Sequence, residues 1–322
     1  MSYTNEATMT FSGKKAIRYL LAIILIFSLN FAIPRAMPGD PLANLLGEDV
    51  MLTEESIAEL RAKMSLDLPL HQQFLNYWSD VCRFDLGYSY HLHSPVSAII
   101  LSRMKWTLLL AIPSLILGAI LGTFLGALAG WKSRDAGQKF ETGLVLMIYC
   151  TPPYFLSLLF LYALSFKLGL FPLKGFYSTG SALDIAHHLM LPVIVMTLFS
   201  LSRNYMIMRG SVIQERGNLY AAYARAKGLY GEELLFRHVF KNAILPIITL
   251  LALDFGFILS GALFIEIVFS MNGMGNLIYD ALLSRDYPVL QGSFLVITLM
   301  VVSANLLADL LYSRIDPRVR WQ

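Results

Sequence analysis

At 322 residues the chain is 56% hydrophobic and only 15% charged, too apolar for an ordinary soluble globule. A net charge of +3 gives no reason to expect nucleic acid as a partner. Its two cysteines, Cys82 and Cys150, stand in unlike segments and imply no disulfide framework.

Lys14, Lys15 and Arg18 precede an apolar run, Tyr19 to Ile33, closed by Pro34 and Arg35. No small-x-small cleavage site follows it, so the run reads as an uncleaved first membrane helix and not as a signal peptide. Pro38-Gly-Asp-Pro41 cannot continue a helix, because proline lacks the donor and glycine tolerates positive φ. Residues 36–105 form one extramembrane segment with nine acidic and five basic residues. Within it, Thr53 to Met64 predicts a helix capped by Thr53 with Glu54 and Glu55 in its first turn. Tyr77, Trp78, Phe84, Tyr88 and Tyr90 supply aromatic surface to fold against the membrane rim.

Trp106–Trp131, Thr142–Phe166, Ile185–Ser202, Asn242–Ile265 and Pro288–Ala308 are each long enough for a hydrocarbon layer of about 30 Å. With the first helix they predict six transmembrane helices. Of the 25 Lys and Arg, 16 then fall on one side, seven of them from Arg203 to Lys241. That side is expected to be cytoplasmic, with both termini on it.

Gly118, Gly122, Gly126 and Gly130 line one face of the second membrane helix. Small residues at this spacing let backbones approach closely. Two readings fit, a sliding or dimer interface and tight packing within the chain. Pro152 and Pro153 in the third helix, and Pro192 in the fourth, each remove a backbone hydrogen bond. The resulting kinks suit either a translocation pathway, with Pro153 beside it, or a static bend. Asp254 lies near the middle of the fifth span, where a carboxylate is costly unless it faces protein or water. Glu266, near the outer end of that span, is expected to reach the interface; both acids are candidate pathway residues. His187, His188, His91 and His93 lack the carboxylates or cysteines of a metal site, and no metal is expected. No nucleotide-cradling Gly-x-x-x-x-Gly-Lys-Ser/Thr and no Ser/His/Asp arrangement is evident, so no catalysis is assigned to this chain.

The polar loop between the fourth and fifth spans holds Tyr220-Ala-Ala-Tyr-Ala-Arg-Ala-Lys-Gly-Leu229 and then Arg237-His-Val-Phe-Lys-Asn-Ala-Ile-Leu-Pro246. It resembles the Glu-Ala-Ala-x-x-x-Gly loop of binding-protein-dependent ABC importer permeases, with Ala222, Tyr223 and Ala224 at the triad and Gly228 at the glycine. The leading glutamate is absent, and the spacing to Pro246 resembles the dipeptide, oligopeptide and nickel branch. Pro38-Gly-Asp-Pro41, Leu66-Asp-Leu-Pro-Leu70, Asp85-Leu-Gly87, Leu168-Gly-Leu-Phe-Pro172, Arg285-Asp-Tyr-Pro288, Gln291-Gly292 and Asp316-Pro-Arg318 carry the same resemblance along the chain. Met271-Asn-Gly-Met-Gly275 departs from the family's usual turn, as Asp254 does from its usual amide.

The resemblance implies an all-α, type I importer transmembrane fold in a prokaryotic cell membrane. Residues 1–35 would be the N-terminal tail and first helix, 36–105 an external region, 106–311 the core with coupling loop 203–241, and 312–322 a cytoplasmic tail. A helix from Leu219 to Leu229 would present Ala222, Ala224 and Ala226 to a groove on an ATPase, with Tyr223, Arg225, Lys227 and Gly228 in the same docking set. The implied partners are a second permease, two ATPase subunits carrying ATP and Mg, an external binding protein and membrane lipid; this chain itself would hold no cofactor. Peptides are the implied cargo, with nickel or a metal chelate as the alternative. A proton-coupled carrier using Asp254 and a membrane metal hydrolase are the readings from other classes.

Overall fold

A computed structural model of the chain describes residues 13–36, 58, 61–62, 67–132, 136–256 and 262–315. In chain order the elements are α1 Gly13–Ala36, α2 Leu70–Cys82, β1 Tyr88–Ser89, β2 Ser94–Pro95, α3 Val96–Trp131, α4 Ala136–Cys150 and α5 Pro153–Phe160. A π-helical stretch, Leu161–Lys167, prolongs α5. Then come α6 Ala182–Glu215, α7 Leu219–Ala226 and α8 Gly231–Leu234. A second π turn, Leu235–Val239, leads to α9 Phe240–Ala243, α10 Leu245–Gly256, α11 Leu263–Val268, α12 Met274–Ser284 and α13 Tyr287–Ile315.

Three helices among the described residues, α3, α6 and α13, are long and apolar enough to cross a membrane. Two bent pairs raise this to five if each pair is one span. α3 begins ten residues before the expected Trp106, and at 36 residues it is about 54 Å long, well beyond the hydrocarbon thickness. The expected third span is not one kinked helix. Pro152 is extended, with φ −57° and ψ 137°, and Pro153 opens α5, so α4 and α5 meet at 103°. Neither proline has an N–H to offer the preceding turn, and the residue before each is biased away from helix. Pro192, by contrast, stays inside α6.

The chain divides into two compact units. In the unit made of residues 1–97 and 281–298, α1 and α2 pack through aromatic rings. Phe31 meets Phe74 edge-on at 5.2 Å, and Phe27 meets Trp78 at 5.4 Å. Tyr77 and Trp78 thus spend part of their surface on the first helix of their own chain. The hairpin pairs Tyr88 with Pro95 and Ser89 with Ser94. Asp286 explains why Arg285-Asp-Tyr-Pro288 stands where it does. It caps α13 by accepting from the Val289 N–H at 3.3 Å, and it accepts the buried Ser89 hydroxyl with its other oxygen. Of the predicted helix Thr53–Met64, only Ala58, Arg61 and Ala62 are described, all helical; Pro38–Pro41, Glu54 and Glu55 lie outside the described residues.

In the unit made of residues 98–280 and 299–322, the organising contact is α3 against α6. A Cβ on Gly122 would meet the Leu201 carbonyl oxygen at 2.5 Å, on Gly126 that of Tyr205 at 2.6 Å, and on Gly130 that of Arg209 at 2.7 Å. Gly118 faces Ser200 in the same way. The four-residue stripe therefore packs within the chain, backbone on backbone, which decides between its two readings. We expect Gly122→Ala and Gly126→Ala each to cost roughly 1–3 kcal/mol, as overpacking of a tight interior does. Gly210→Ala, with open space around its Cβ, should be near neutral in the same thermal melts in detergent.

Candidate functional site

α7 is short because its ends are written into the sequence. Asn218 precedes it in extended conformation, with φ −72° and ψ 154°, and donates its side-chain amide to Glu215 at 2.8 Å. At the other end the Leu229 N–H reaches the Ala224 carbonyl at 3.2 Å and the Gly228 N–H reaches that of Arg225 at 2.9 Å. This paired pattern needs a left-handed residue between them, and Gly228 supplies it at φ +89°. Nothing lies within 4 Å of a Cβ built there, so a side chain at 228 is opposed by backbone strain and not by collision inside this chain.

The helix has two unlike faces. Ala221 is buried in one cluster with Ala127, Met208, Val212, Leu235 and Val239, and Ala224, one turn on, is buried too. Only small residues let so short a helix lie this close to α3 and α6. The opposite face carries Leu219, 78% exposed, and Tyr223, 71% exposed, with Ala222 and Ala226 exposed between them. These four stand at i, i+3, i+4 and i+7, one apolar stripe with nothing covering it among the described residues. Burying two such large side chains is worth roughly 1.5–3 kcal/mol each.

The expected docking set therefore divides. Ala222, Tyr223, Ala226, Lys227 and Gly228 point outward, whereas Ala224 points into the protein. The alternation of alanines suggested a single contact face, but a 3.6-residue period puts Ala222 and Ala224 on opposite sides. Arg225 also turns inward. Its Nη2 donates to the Arg216 carbonyl at 3.0 Å, and Nη1 of Arg216 donates to the Trp131 carbonyl at 2.6 Å. These two arginines tie α7 to the ends of α6 and α3 together. Tyr220 adds a bond from its hydroxyl to Glu215 at 2.6 Å. Burial, and then this hydrogen bond to the Glu215 carboxylate, push its phenol up to about 12, so it remains a donor.

Asp254, on α10, makes an ion pair with Arg203 on α6. Arg203, expected at the start of the cytoplasmic loop, lies instead twelve residues inside α6, about 18 Å from that helix's end. Sequence spacing gave no sign of this partner, 51 residues away. Glu266 does not reach an interface. It is fully buried, and accepts from the Thr107 hydroxyl at 2.5 Å and the Asn276 N–H at 3.1 Å. Thr107 in turn accepts the Met274 N–H at 2.8 Å. A side chain at 273 would collide with this carboxylate, and one at 275 with the Leu263 backbone, so Met271-Asn-Gly-Met-Gly275 is a turn packed closely over Glu266 and the start of α11. Pro153 stands at the break between α4 and α5.

A Ser/His/Asp arrangement, not evident in the sequence, does exist in space. His188 lies 3.1 Å from the Ser178 hydroxyl and 3.1 Å from an Asp184 oxygen. The other Asp184 oxygen accepts the N–H groups of Ser178, Thr179 and Gly180, at 2.7, 2.7 and 3.0 Å. Those donors are spent on closing the loop onto α6 and are not offered to a reacting oxyanion. No group of three or more His, Cys, Asp or Glu placed to hold a metal occurs among the described residues.

Residues 118–321 match the family described as binding-protein-dependent transport system inner membrane component. The chain is 31% identical over 314 residues to a probable peptide ABC transporter permease of Sinorhizobium fredii, covering 96% of this chain and 100% of that protein. It is 33% identical over 316 residues to the dipeptide transport system permease protein DppB of Escherichia coli, covering 91% and 93%. A putative peptide permease of Brucella ovis is 33% identical over 310 residues, covering 94% and 97%.

The ion pair makes a prediction of its own. Asp254→Asn leaves the Arg203 charge, itself only partly buried, without its partner, and should cost roughly 1–3 kcal/mol, less than the loss of one member of a fully buried pair. Removing both charges with Arg203→Gln and Asp254→Asn together should recover most of that loss. Thermal melts of the two single variants and the double variant in detergent measure the coupling; additive losses would mean that the pair is not formed.

Proposed function

Because the chain belongs to the family of binding-protein-dependent transport system inner membrane components, we propose that it is a permease subunit of an ATP-driven peptide importer. The names of its relatives support peptides as cargo. In this reading the chain crosses a prokaryotic cell membrane six times with both termini in the cytoplasm, in a type I importer arrangement. The division into residues 1–35, 36–105, 106–311 and 312–322 belongs to the same proposal. A second permease completes the passage, two ATPase subunits hold ATP and Mg, and an external binding protein delivers cargo to the 36–105 region. The chain carries no cofactor and performs no chemistry.

The observation that carries the reading is the uncovered stripe of Leu219, Ala222, Tyr223 and Ala226 on a helix stopped by Gly228. Its apolar side chains suit a groove on the ATPase. Closure of the ATPase pair would push α7, and Arg225 and Arg216 would pass that push to α6 and α3. Hydrolysis and transport are then coupled through the placement of one short helix.

Two expected outcomes follow from this reading. Gly228→Leu, which strains a left-handed residue by roughly 1–2 kcal/mol, should leave ATP hydrolysis running while uptake falls; Gly228→Asn should retain uptake, since asparagine tolerates this conformation. Uptake and hydrolysis measured side by side in proteoliposomes test this, and wild-type uptake by Gly228→Leu would remove α7 from the coupling path. Energy should come from ATP and not from a proton gradient, with Asp254 serving structure. With the gradient collapsed and ATP supplied, the assembled complex bearing both Arg203→Gln and Asp254→Asn should still take up peptide. Uptake that follows the gradient and vanishes in this variant would instead support a proton-coupled carrier.

A further inference from the structure

The end of α1, helix α2, the hairpin and the first turns of α13 line an open-mouthed cavity of about 330 Å³. All its lining residues belong to the unit of residues 1–97 and 281–298, and none takes part in the docking helix or the Arg203–Asp254 pair. A water molecule occupies about 30 Å³ of liquid, and small-ligand sites begin near 300 Å³. The cavity is therefore of ligand size.

Its walls carry both signs of charge. Arg35 is held in place by donating Nε to Gln73 at 2.9 Å and Nη1 to the Phe31 carbonyl at 3.2 Å. Its guanidinium also lies 3.8 Å over the Phe31 ring. The acidic wall is formed by Asp80 and Asp85. Burial, and then the Asp85 charge, hold the Asp80 carboxyl above the usual range, and Arg83 offsets this only in part. Beside them Tyr88 and Tyr90 meet edge-on at 5.4 Å, which presents ring faces as well as carboxylates to a cation.

We propose that this cavity binds a small zwitterion. Its ammonium group would sit against Asp80, Asp85 and the rings of Tyr88 and Tyr90, and its oxyanion on the Arg35 guanidinium. Two sources share this chemistry: a free amino acid or short peptide, with a carboxylate, and an aminophospholipid headgroup, with a phosphate. The cavity lies where α1 ends and α13 begins, so either source has access at the rim of the bilayer in the proposed topology. The site adds to the import reading and does not depend on it.

The test uses the full chain purified in detergent free of aminophospholipid, titrated calorimetrically with glycylglycine and with O-phosphoethanolamine. At least one should bind saturably. N-acetylglycylglycine, which lacks the ammonium, and ethanolamine, which lacks the oxyanion, should each bind at least about tenfold more weakly, as loss of one charged contact predicts. The variant bearing Asp80→Asn and Asp85→Asn should lose about the same factor. Preference for glycylglycine assigns the site to peptides or amino acids, and preference for phosphoethanolamine assigns it to lipid. If the double variant melts below the wild type, Asp85→Asn alone, at an exposed position, decides: the better-bound probe should bind it several-fold more weakly. The proposal fails if neither probe binds, if the acetylated dipeptide binds as well as glycylglycine, or if a stably folded variant binds undiminished.

Discussion

The contact between α3 and α6 through Gly118, Gly122, Gly126 and Gly130 is the constraint on which the larger unit depends. In lipid no hydrophobic effect pulls two helices together, so close van der Waals contact and hydrogen bonding must do it. Four absent side chains bring the α3 backbone onto the carbonyls of Leu201, Tyr205 and Arg209. A packed pair of this kind has little room to slide, because a shift of one residue sets a side chain where a glycine was. The two helices end as one body, with Trp131 and Arg216 joined by a hydrogen bond.

Everything of functional interest in that unit hangs from this body. Helix α7, proposed to dock the ATPase, is carried on its end, with Ala221 and Ala224 as the buried surface and Arg225 as a tether. Asp254 brings α10 to the same body by pairing with Arg203 on α6. Glu266 fixes the turn after α11 through Thr107, a residue of α3. The buried polar groups are thus positioned between elements, each joining a later helix to α3 or α6. Against them stand the breaks: the prolines between α4 and α5 and the π turns at Leu161–Lys167 and Leu235–Val239, where the regular hydrogen-bond ladder is interrupted. Rigid pair and interrupted neighbours together give a unit in which a push at one end has a defined path.

How much of this was legible in the sequence depended on whether the cause was local. Helix α7 and its end could be read from Ala-Ala-x-Ala and Gly228 because a helix stop in left-handed conformation is a local requirement. The division of its alanines between two faces was missed, because the loop was read as a motif and not as a 3.6-residue period. The glycine stripe was visible as spacing, yet spacing says nothing of the partner, and only the fold showed α6 opposite. Arg203 was misplaced for a related reason: a basic residue at the end of an apolar run reads as the start of a loop. The helix in fact runs on, and a carboxylate 51 residues later makes the charge tolerable. Glu266 and the Ser178–His188–Asp184 cluster were likewise beyond reach, since the first is enclosed by a turn and a distant threonine, and the second by a loop folding back on its helix. Pro152-Pro153 announced a disruption, but two prolines alone do not specify the 103° between the helices.

The central claim is that α3 and α6 move as one body and carry the docking helix with them. Spin labels at Ile116 on α3 and Ile213 on α6, both exposed positions, would report on it through their distance distribution in the assembled complex. The account predicts one narrow population whose centre is the same without nucleotide and with ATP trapped. A shift of several ångströms between those states, or a second population appearing in one of them, would show that the two helices part during the cycle and would contradict it.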